Sequence, residues 1–376
     1  MKARRWTAAT AMGLMVAAGT ATPAAAAGTL VFGTGLLEGQ LVGSKQYISP
    51  TYAPTAVQVE LLIDGVVQVR QAVKDGPLLL QPAVAQNNLE VSVTVRAYDA
   101  RGAGDQASTR VKVDTDPPQA TFSPALTDVV HGPTTITATP VTDDLTEVVL
   151  YDTAGNVLGR RTEAPFTITW DATGKDGRLL VKLVDKAGNT ASVQTQFQVD
   201  DQGPVVTSIE PAERALVRGA NLNTTVAATD LSLPISAQLT GAAAPDTVPP
   251  YSATVPIGGD GARVLTWTLT DRWGNRSVTR RIVVVDNTLP TISITAPASG
   301  SQLSGIWTIP VRVADLNGID RVEMRVNGRT KAIDTTSPFS VKLNTQIYGD
   351  TFTVVFYVFD KAGNVASTSP RTYRKL

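Results

Sequence analysis

The sequence predicts an all-β chain of tandem β-sandwich modules. Three observations predict it: a motif that returns at nearly constant spacing, apolar residues that alternate with polar ones, and turn residues that recur at short intervals. The motif is Asp-x-x-Gly followed fifteen residues later by another Asp. It reads Asp99-Ala100-Arg101-Gly102 with Asp114, Asp185-Lys186-Ala187-Gly188-Asn189 with Asp200, and Asp271-Arg272-Trp273-Gly274-Asn275 with Asp286. A fourth copy, Asp360-Lys361-Ala362-Gly363-Asn364, lies near the last residue. Successive copies are 86, 86 and 89 residues apart (99 to 185, 185 to 271, 271 to 360). A period of that size means repeated small domains.

Alternation supplies the strands. Leu265, Trp267 and Leu269 share one face and Thr266, Thr268 and Thr270 the other; Phe166, Ile168 and Trp170 alternate likewise with Thr167 and Thr169. Period two with β-branched residues is a half-buried strand. Asp64-Gly65, Ala154-Gly155-Asn156 and Asn327-Gly328 mark turns, and no segment sustains a helical period. Other landmarks keep phase. Pro followed by an apolar residue opens a strand at Pro77-Leu78, Pro165-Phe166, Pro250-Tyr251 and Pro338-Phe339, and an Asp-Leu pair closes an early strand at Asp144-Leu145, Asp230-Leu231 and Asp315-Leu316. Module junctions place Pro just after a strand-ending Val, at Val113 with Pro117, Val199 with Pro204 and Val285 with Pro290. There a ladder hydrogen bond is no longer needed. The implied division is a signal peptide at 1–27 and modules at 28–115, 116–201, 202–287 and 288–376. Such short junctions favour a stiff rod.

Lys2, Arg4 and Arg5, an apolar run over 8–18 and the small residues 24–27 read as a cleaved secretory signal peptide. No later stretch is long and apolar enough to span a bilayer, so the mature chain is expected outside the cytoplasmic membrane, not inserted in it. With no Cys, its modules rest on their cores rather than on disulfides. Thirty-three basic residues against 33 acidic ones give no basic excess for a nucleic acid.

The chain resembles bacterial immunoglobulin-like domains of the disulfide-free kind. An immunoglobulin-type strand F reads aromatic-x-Cys-x-Ala-x-Asn/Asp-x-x-Gly. Here the Cys position holds Val95, Val181, Trp267 or Phe356, and the Ala position holds Ala97, Leu183, Leu269 or Val358. The resemblance covers residues 28–376 and implies four tandem immunoglobulin-like β-sandwiches. It specifies the fold far better than the function. Module one departs most, with Ala103 in place of the Asn and no Asp-Leu pair.

The repeated Asp has a purely structural account, since Asp suits the first position of a type I turn and Gly the fourth. Topology adds a second one. Strand G runs back along the module after the F–G turn, so the carboxylates that meet come from one junction and from the next module's loops. This groups Asp114, Asp116, Asp144 and Asp185; then Asp200, Asp201, Asp230 and Asp271; then Asp286, Asp315 and Asp360. Several carboxylates repel unless a cation or protons intervene, and calcium accepts oxygen ligands in flexible geometry. Calcium at module junctions is what the resemblance to cadherins and some bacterial adhesins also implies.

Catalysis finds little in the sequence. His131 is the one His and precedes Gly132-Pro133, as a solvated turn residue would. Cys and Gly-x-Ser-x-Gly are absent, and Gly33-x-Gly35-x-x-x-Gly39 misses the dinucleotide spacing. Trp170 and Trp267 read as core, and Trp273 as packing on the preceding junction. Val355, Tyr357 and Phe359 share one face of a strand. Either a neighbouring loop or the C-terminal strand covers them, or they form an aromatic patch for a glycan or a protein. The expectation is a monomeric, non-catalytic, extracellular or cell-surface interaction or adhesion protein, its partner a protein or glycan. The alternative is a carbohydrate-binding array or an accessory to a secreted enzyme.

Overall fold

Strands are longest where the alternation is strongest. In the computed structural model, which describes residues 30–376, Gly261–Thr270 runs antiparallel to Arg276–Val285 over its whole length, with Trp267 opposite Thr279. Among the described residues the elements are β-strands and three short 3-10 turns, at Val73–Asp75, Val84–Gln86 and Thr345–Ile347. The expected signal peptide lies outside the described residues. The chain forms two compact units. One holds the residues up to Asp128 with Pro133–Trp170 and Gly177–Phe197; the other holds Val129–Gly132, Asp171–Asp176 and Gln198–Leu376.

In the first unit, a five-stranded sheet runs in the order Gln40–Val42, Gly104–Val113, Glu90–Asp99, Ala56–Ile63, Val66–Ala72. Its inner face, with Leu61, Val93, Val95 and Val111 fully buried, packs with Ile48, Leu78 and Leu80 from the short strands Gln46–Ile48 and Leu78–Leu80. The second repeat follows the same plan. Ala120–Ser123, Pro133–Pro140 and Phe166–Asp171 form one sheet; Val157–Arg161, Leu145–Tyr151, Leu180–Asp185 and Thr190–Gln194 form the other.

In the second unit, Val205–Glu210, Asn221–Thr229 and Tyr251–Pro256 face a sheet ordered Ala215–Val217, Arg276–Val285, Gly261–Thr270, Ser236–Leu239. Trp267 lies fully buried among Val226, Ile235, Tyr251 and Val283. The last repeat centres on Thr351–Asp360, flanked by Ile319–Val326 and Arg371–Lys375, with Phe352, Val354, Phe356 and Val358 inward. Val95, Val181, Trp267 and Phe356, at the position a disulfide cysteine would hold, are all in the core, as are Ala97, Leu183, Leu269 and Val358. Each repeat also pairs an early strand with its last one in parallel: Gln40–Val42 with Gly104–Val113, Val129–Val130 with Gln198–Val199, Ala215–Val217 with Arg276–Val285, and Gln302–Leu303 with Arg371–Lys375.

One landmark needs correcting. Asp230 and Asp315 follow directly on their strands, Asn221–Thr229 and Arg312–Ala314. In repeat two the strand stops at Pro140, and Leu145 opens the next strand. Thr142 Oγ1 donates to the Asp144 carboxylate, and this local turn holds the extra residues.

Candidate metal centres at the repeat junctions

The Asp-x-x-Gly segments are the turns the residue types require. Gly188 N donates to Asp185 O at 3.2 Å, and the glycine sits at φ 84°, in the left-handed region where glycine carries no steric cost. Gly102, Gly274 and Gly363 close the same bond, to Asp99, Asp271 and Asp360. The Asp side chain then caps its own turn. In the third copy Asp271 Oδ1 accepts from Trp273 N at 2.8 Å and Asn275 N at 2.9 Å.

The structure brings three carboxylates together at three places: Asp114 with Asp144 and Asp185, Asp200 with Asp230 and Asp271, and Asp286 with Asp315 and Asp360. Within each group one oxygen per residue lies within 4.8 Å of the others. Nine of the eleven expected residues therefore converge, and two do not. Asp116 Oδ2 accepts from Asn87 Nδ2 at 2.8 Å, and Asp201 Oδ2 accepts from Gly174 N at 2.6 Å. Both follow closely on the linker Asp, but the turn that this Asp makes with a backbone N–H two residues on points their side chains elsewhere.

Burial and crowding mark the electrostatics of these groups. Asp200 and Asp286 are 4% and 1% exposed, and each has a buried Oδ2 with no hydrogen-bond partner. Burying an unpaired carboxylate oxygen is costly, and a cation is one partner that could satisfy such an atom. Burial raises the Asp114 and Asp230 carboxyls above their ordinary value. The neighbouring charges of Asp185 and Asp144 push the first further, and those of Asp200 and Asp271 the second. A cluster of three carboxyl groups, offering oxygen ligands only, fits a hard cation such as calcium.

A residue that the sequence reading passed over ties each group to the chain. Asn189, Asn275 and Asn364 each spend both amide hydrogens. Nδ2 donates to Asp185, Asp271 or Asp360 Oδ2, and to the main-chain oxygen of Asp114 (2.9 Å), Asp200 (3.0 Å) or Asp286 (2.8 Å). The Asn after Gly is thus a latch on the preceding linker, and its recurrence in three motif copies was the available signal. Repeat one has Ala103 there and carries no such latch. Asn364→Ala is expected to destabilise the last repeat by about 2 kcal/mol, because it leaves buried oxygens of Asp286 and Asp360 short of a donor. Urea melts of variant and parent check this.

His131 is a correction. It is half-buried rather than a solvated turn residue: Nδ1 donates to Asp200 O at 2.8 Å, and its ring stacks on Trp273 at 5.8 Å. Trp273 Nε1 donates to Ser232 Oγ in its own repeat at 2.9 Å, and it is the stack on His131, itself bonded to Asp200 O, that sets the indole against the junction before it.

On the aromatic face of repeat four, arginines of the neighbouring strand Ile319–Val326 lie over two of the three residues. Arg321 lies over Phe359 at 3.7 Å and Arg325 over Tyr357 at 4.2 Å, and both guanidiniums bond to Glu323 at 2.9 Å. Burial pushes the Glu323 carboxyl up, but the two arginines outweigh it and hold it below its ordinary value. A lowered folded value means stability that is present above the unfolded pKa and lost as pH falls through the folded one. Glu323→Gln should therefore cost about 1–2 kcal/mol at pH 7, discounted for the partly exposed arginines. The gap between variant and parent should narrow as pH falls through and below the ordinary glutamate range, which melts across pH would show.

Residues 290–369 match the family described as bacterial Ig domain, and residues 175–202 match bacterial Ig-like domain. No curated protein matches the chain. Among solved structures, the fibronectin(III)-like modules of Clostridium thermocellum CbhA are similar at 20% identity over 46% of this chain and 93% of that one, with a TM-score of 0.36. Sidekick-1 immunoglobulin domains 1-5 show 11% identity over 93% and 80%, with a TM-score of 0.32. A calcium-stabilised adhesin with which an Antarctic bacterium binds ice shows 16% over 89% and 96%, with a TM-score of 0.28. Among the described residues no helix is long and apolar enough to cross a membrane. Bacterial immunoglobulin-like sequence is thus found in two segments of the chain, 175–202 and 290–369.

Proposed function

We propose that this chain is a non-catalytic extracellular interaction protein whose repeat junctions are stiffened by calcium. It is exported by a cleaved signal peptide, divides into modules at 28–115, 116–201, 202–287 and 288–376, and acts as a monomer in adhesion to, or display toward, an extracellular protein or glycan. The observation that carries the reading is the threefold recurrence of one carboxylate group, always a linker Asp against two loop Asp residues of the following repeat. Carboxylates serving turns alone have no reason to converge on another segment's carboxylate three times over. Calcium would neutralise each group and hold the linker against the loops that the Asn latch already touches. The arginines over Tyr357 and Phe359 support this reading over a carbohydrate-binding array, since they leave less open aromatic surface on that face.

The test is retention of purified residues 28–376 on cell-wall material and on a glycan array, in millimolar calcium, followed by deletion of single repeats. Retention that maps to particular repeats, with the bound polymer unchanged, is the expected result. Failure to bind any surface, or turnover of the retained polymer, would overturn the interaction reading.

A further inference from the structure

The three carboxylate groups are not equivalent. In the second and third, the linker Asp is buried and its Oδ2 has no partner. In the first, Asp114 and Asp144 are both half-exposed, and only Asp185 is buried. Basic side chains stand near all three: Lys186 Nζ donates to Asp143 O, Arg272 lies over Trp273, and Lys361 and Arg218 stand against Gly318 and Gly363, so the first group is not set apart by a local cation. Asp116 adds negative charge near Asp114, but it is exposed, and attraction across water is screened by salt.

We infer that calcium fills these junctions in two stages, the Asp200 and Asp286 sites first and the Asp114 site at higher concentration. This rests on the calcium reading of the groups. A cation reaching Asp200 or Asp286 meets an oxygen that has already lost its water; Asp286 Oδ2 has gained no donor and Asp200 has only the Asp230 carboxyl within reach, so its attraction is opposed by little further desolvation. At Asp114 and Asp144 the ion must displace water from solvated carboxylates, and the field it meets is that of a wetter site. Relieving one buried, unsatisfied charged atom corresponds to about a tenfold difference in affinity.

Calorimetric titration of the whole chain with calcium tests this, beside Asp114→Asn, Asp200→Asn and Asp286→Asn. Asparagine keeps the Oδ1 that accepts the turn N–H and removes the charge. Two tight equivalents and one about tenfold weaker are expected, with Asp114→Asn deleting the weak one and the other two variants each deleting a tight one. Terbium luminescence of the unaltered chain gives an independent reading. Trp273, whose N–H bonds to Asp271, is the one tryptophan at a carboxylate group among the described residues, so emission sensitised through it reports the second site. That emission should saturate in the tight stage and vanish in Trp273→Phe. Three equal affinities, loss of a tight equivalent in Asp114→Asn, or emission that rises only in the weak stage would overturn the two-stage order while leaving calcium binding intact. No binding heat at all would overturn the calcium reading, and this inference with it.

Discussion

Trp267→Ala is expected to destabilise the third repeat by about 3–5 kcal/mol, the range for truncating a large buried aromatic side chain. The indole is 0% exposed, and Leu265 and Leu269 lie on the same inward face of Gly261–Thr270. The cavity is lined by Ile235, Tyr251, Val226 and Val283, which come from separate segments of the repeat, so the site cannot collapse by shifting one loop. The indole Nε1 has no hydrogen-bond partner, so nothing polar offsets the loss. Trp267→Phe keeps most of the apolar contact and removes that unpaired donor, and should cost clearly less. Urea unfolding with an unchanged slope would measure both. A loss below about 1 kcal/mol for the alanine variant would mean that the tryptophan is not in the core.

Chelation should lower the melting temperature of residues 28–376 relative to millimolar calcium. An ion that binds the folded junction and not the unfolded chain adds about 2.7 kcal/mol per site at a free concentration of ~100 times its dissociation constant. For a domain of this size that corresponds to about 10 °C or more. The informative variant is the triple Asp114→Asn, Asp200→Asn, Asp286→Asn. Asp185, Asp271 and Asp360 are poorer choices, because both oxygens of each already hold the turn through Asn189, Asn275 or Asn364. The triple variant should melt at one temperature with and without calcium. In chelator it should melt no lower than the parent, since it has lost three repelling charges. Identical melts of the parent in the two conditions would return these Asp residues to turn formation alone.

The sheet faces and the strand-F positions were legible because burial in a sheet has period two, and that period survives in the sequence whatever lies opposite. The convergence of Asp114, Asp144 and Asp185 was legible for a related reason: strand reversal fixes which end of a repeat each turn occupies. Side-chain aim within an end was not. Asp116 and Asp201 stand one or two residues from a converging Asp, and only the local turn decides that they bond Asn87 and Gly174 instead. The partners of His131 and of the Asn latches are equally hidden, since Asn189 meets a carbonyl 75 residues away and no local pattern encodes that distance. Arginines over Tyr357 and Phe359 come from the neighbouring strand, where a charged residue reads simply as solvent-facing.

The parallel pairing of early and late strands bears on how a repeat carries tension. Pulling a repeat by its two ends slides these neighbours along each other, so their ladder bonds share the load and must yield together rather than one at a time. The ladder spans three residue pairs in repeats one and three, from Gln40↔Val111 to Val42↔Val113 and from Ala215↔Val283 to Val217↔Val285. It spans only two in repeats two and four, at Val129↔Gln198 and Val130↔Val199 and at Gln302↔Arg374 and Leu303↔Lys375. Forced unfolding is governed by the unfolding rate rather than by equilibrium stability. In single-molecule stretching, repeats two and four are therefore expected to rupture at lower force. They would act as the mechanical fuses of the chain, and repeats one and three would stay folded while the load is absorbed.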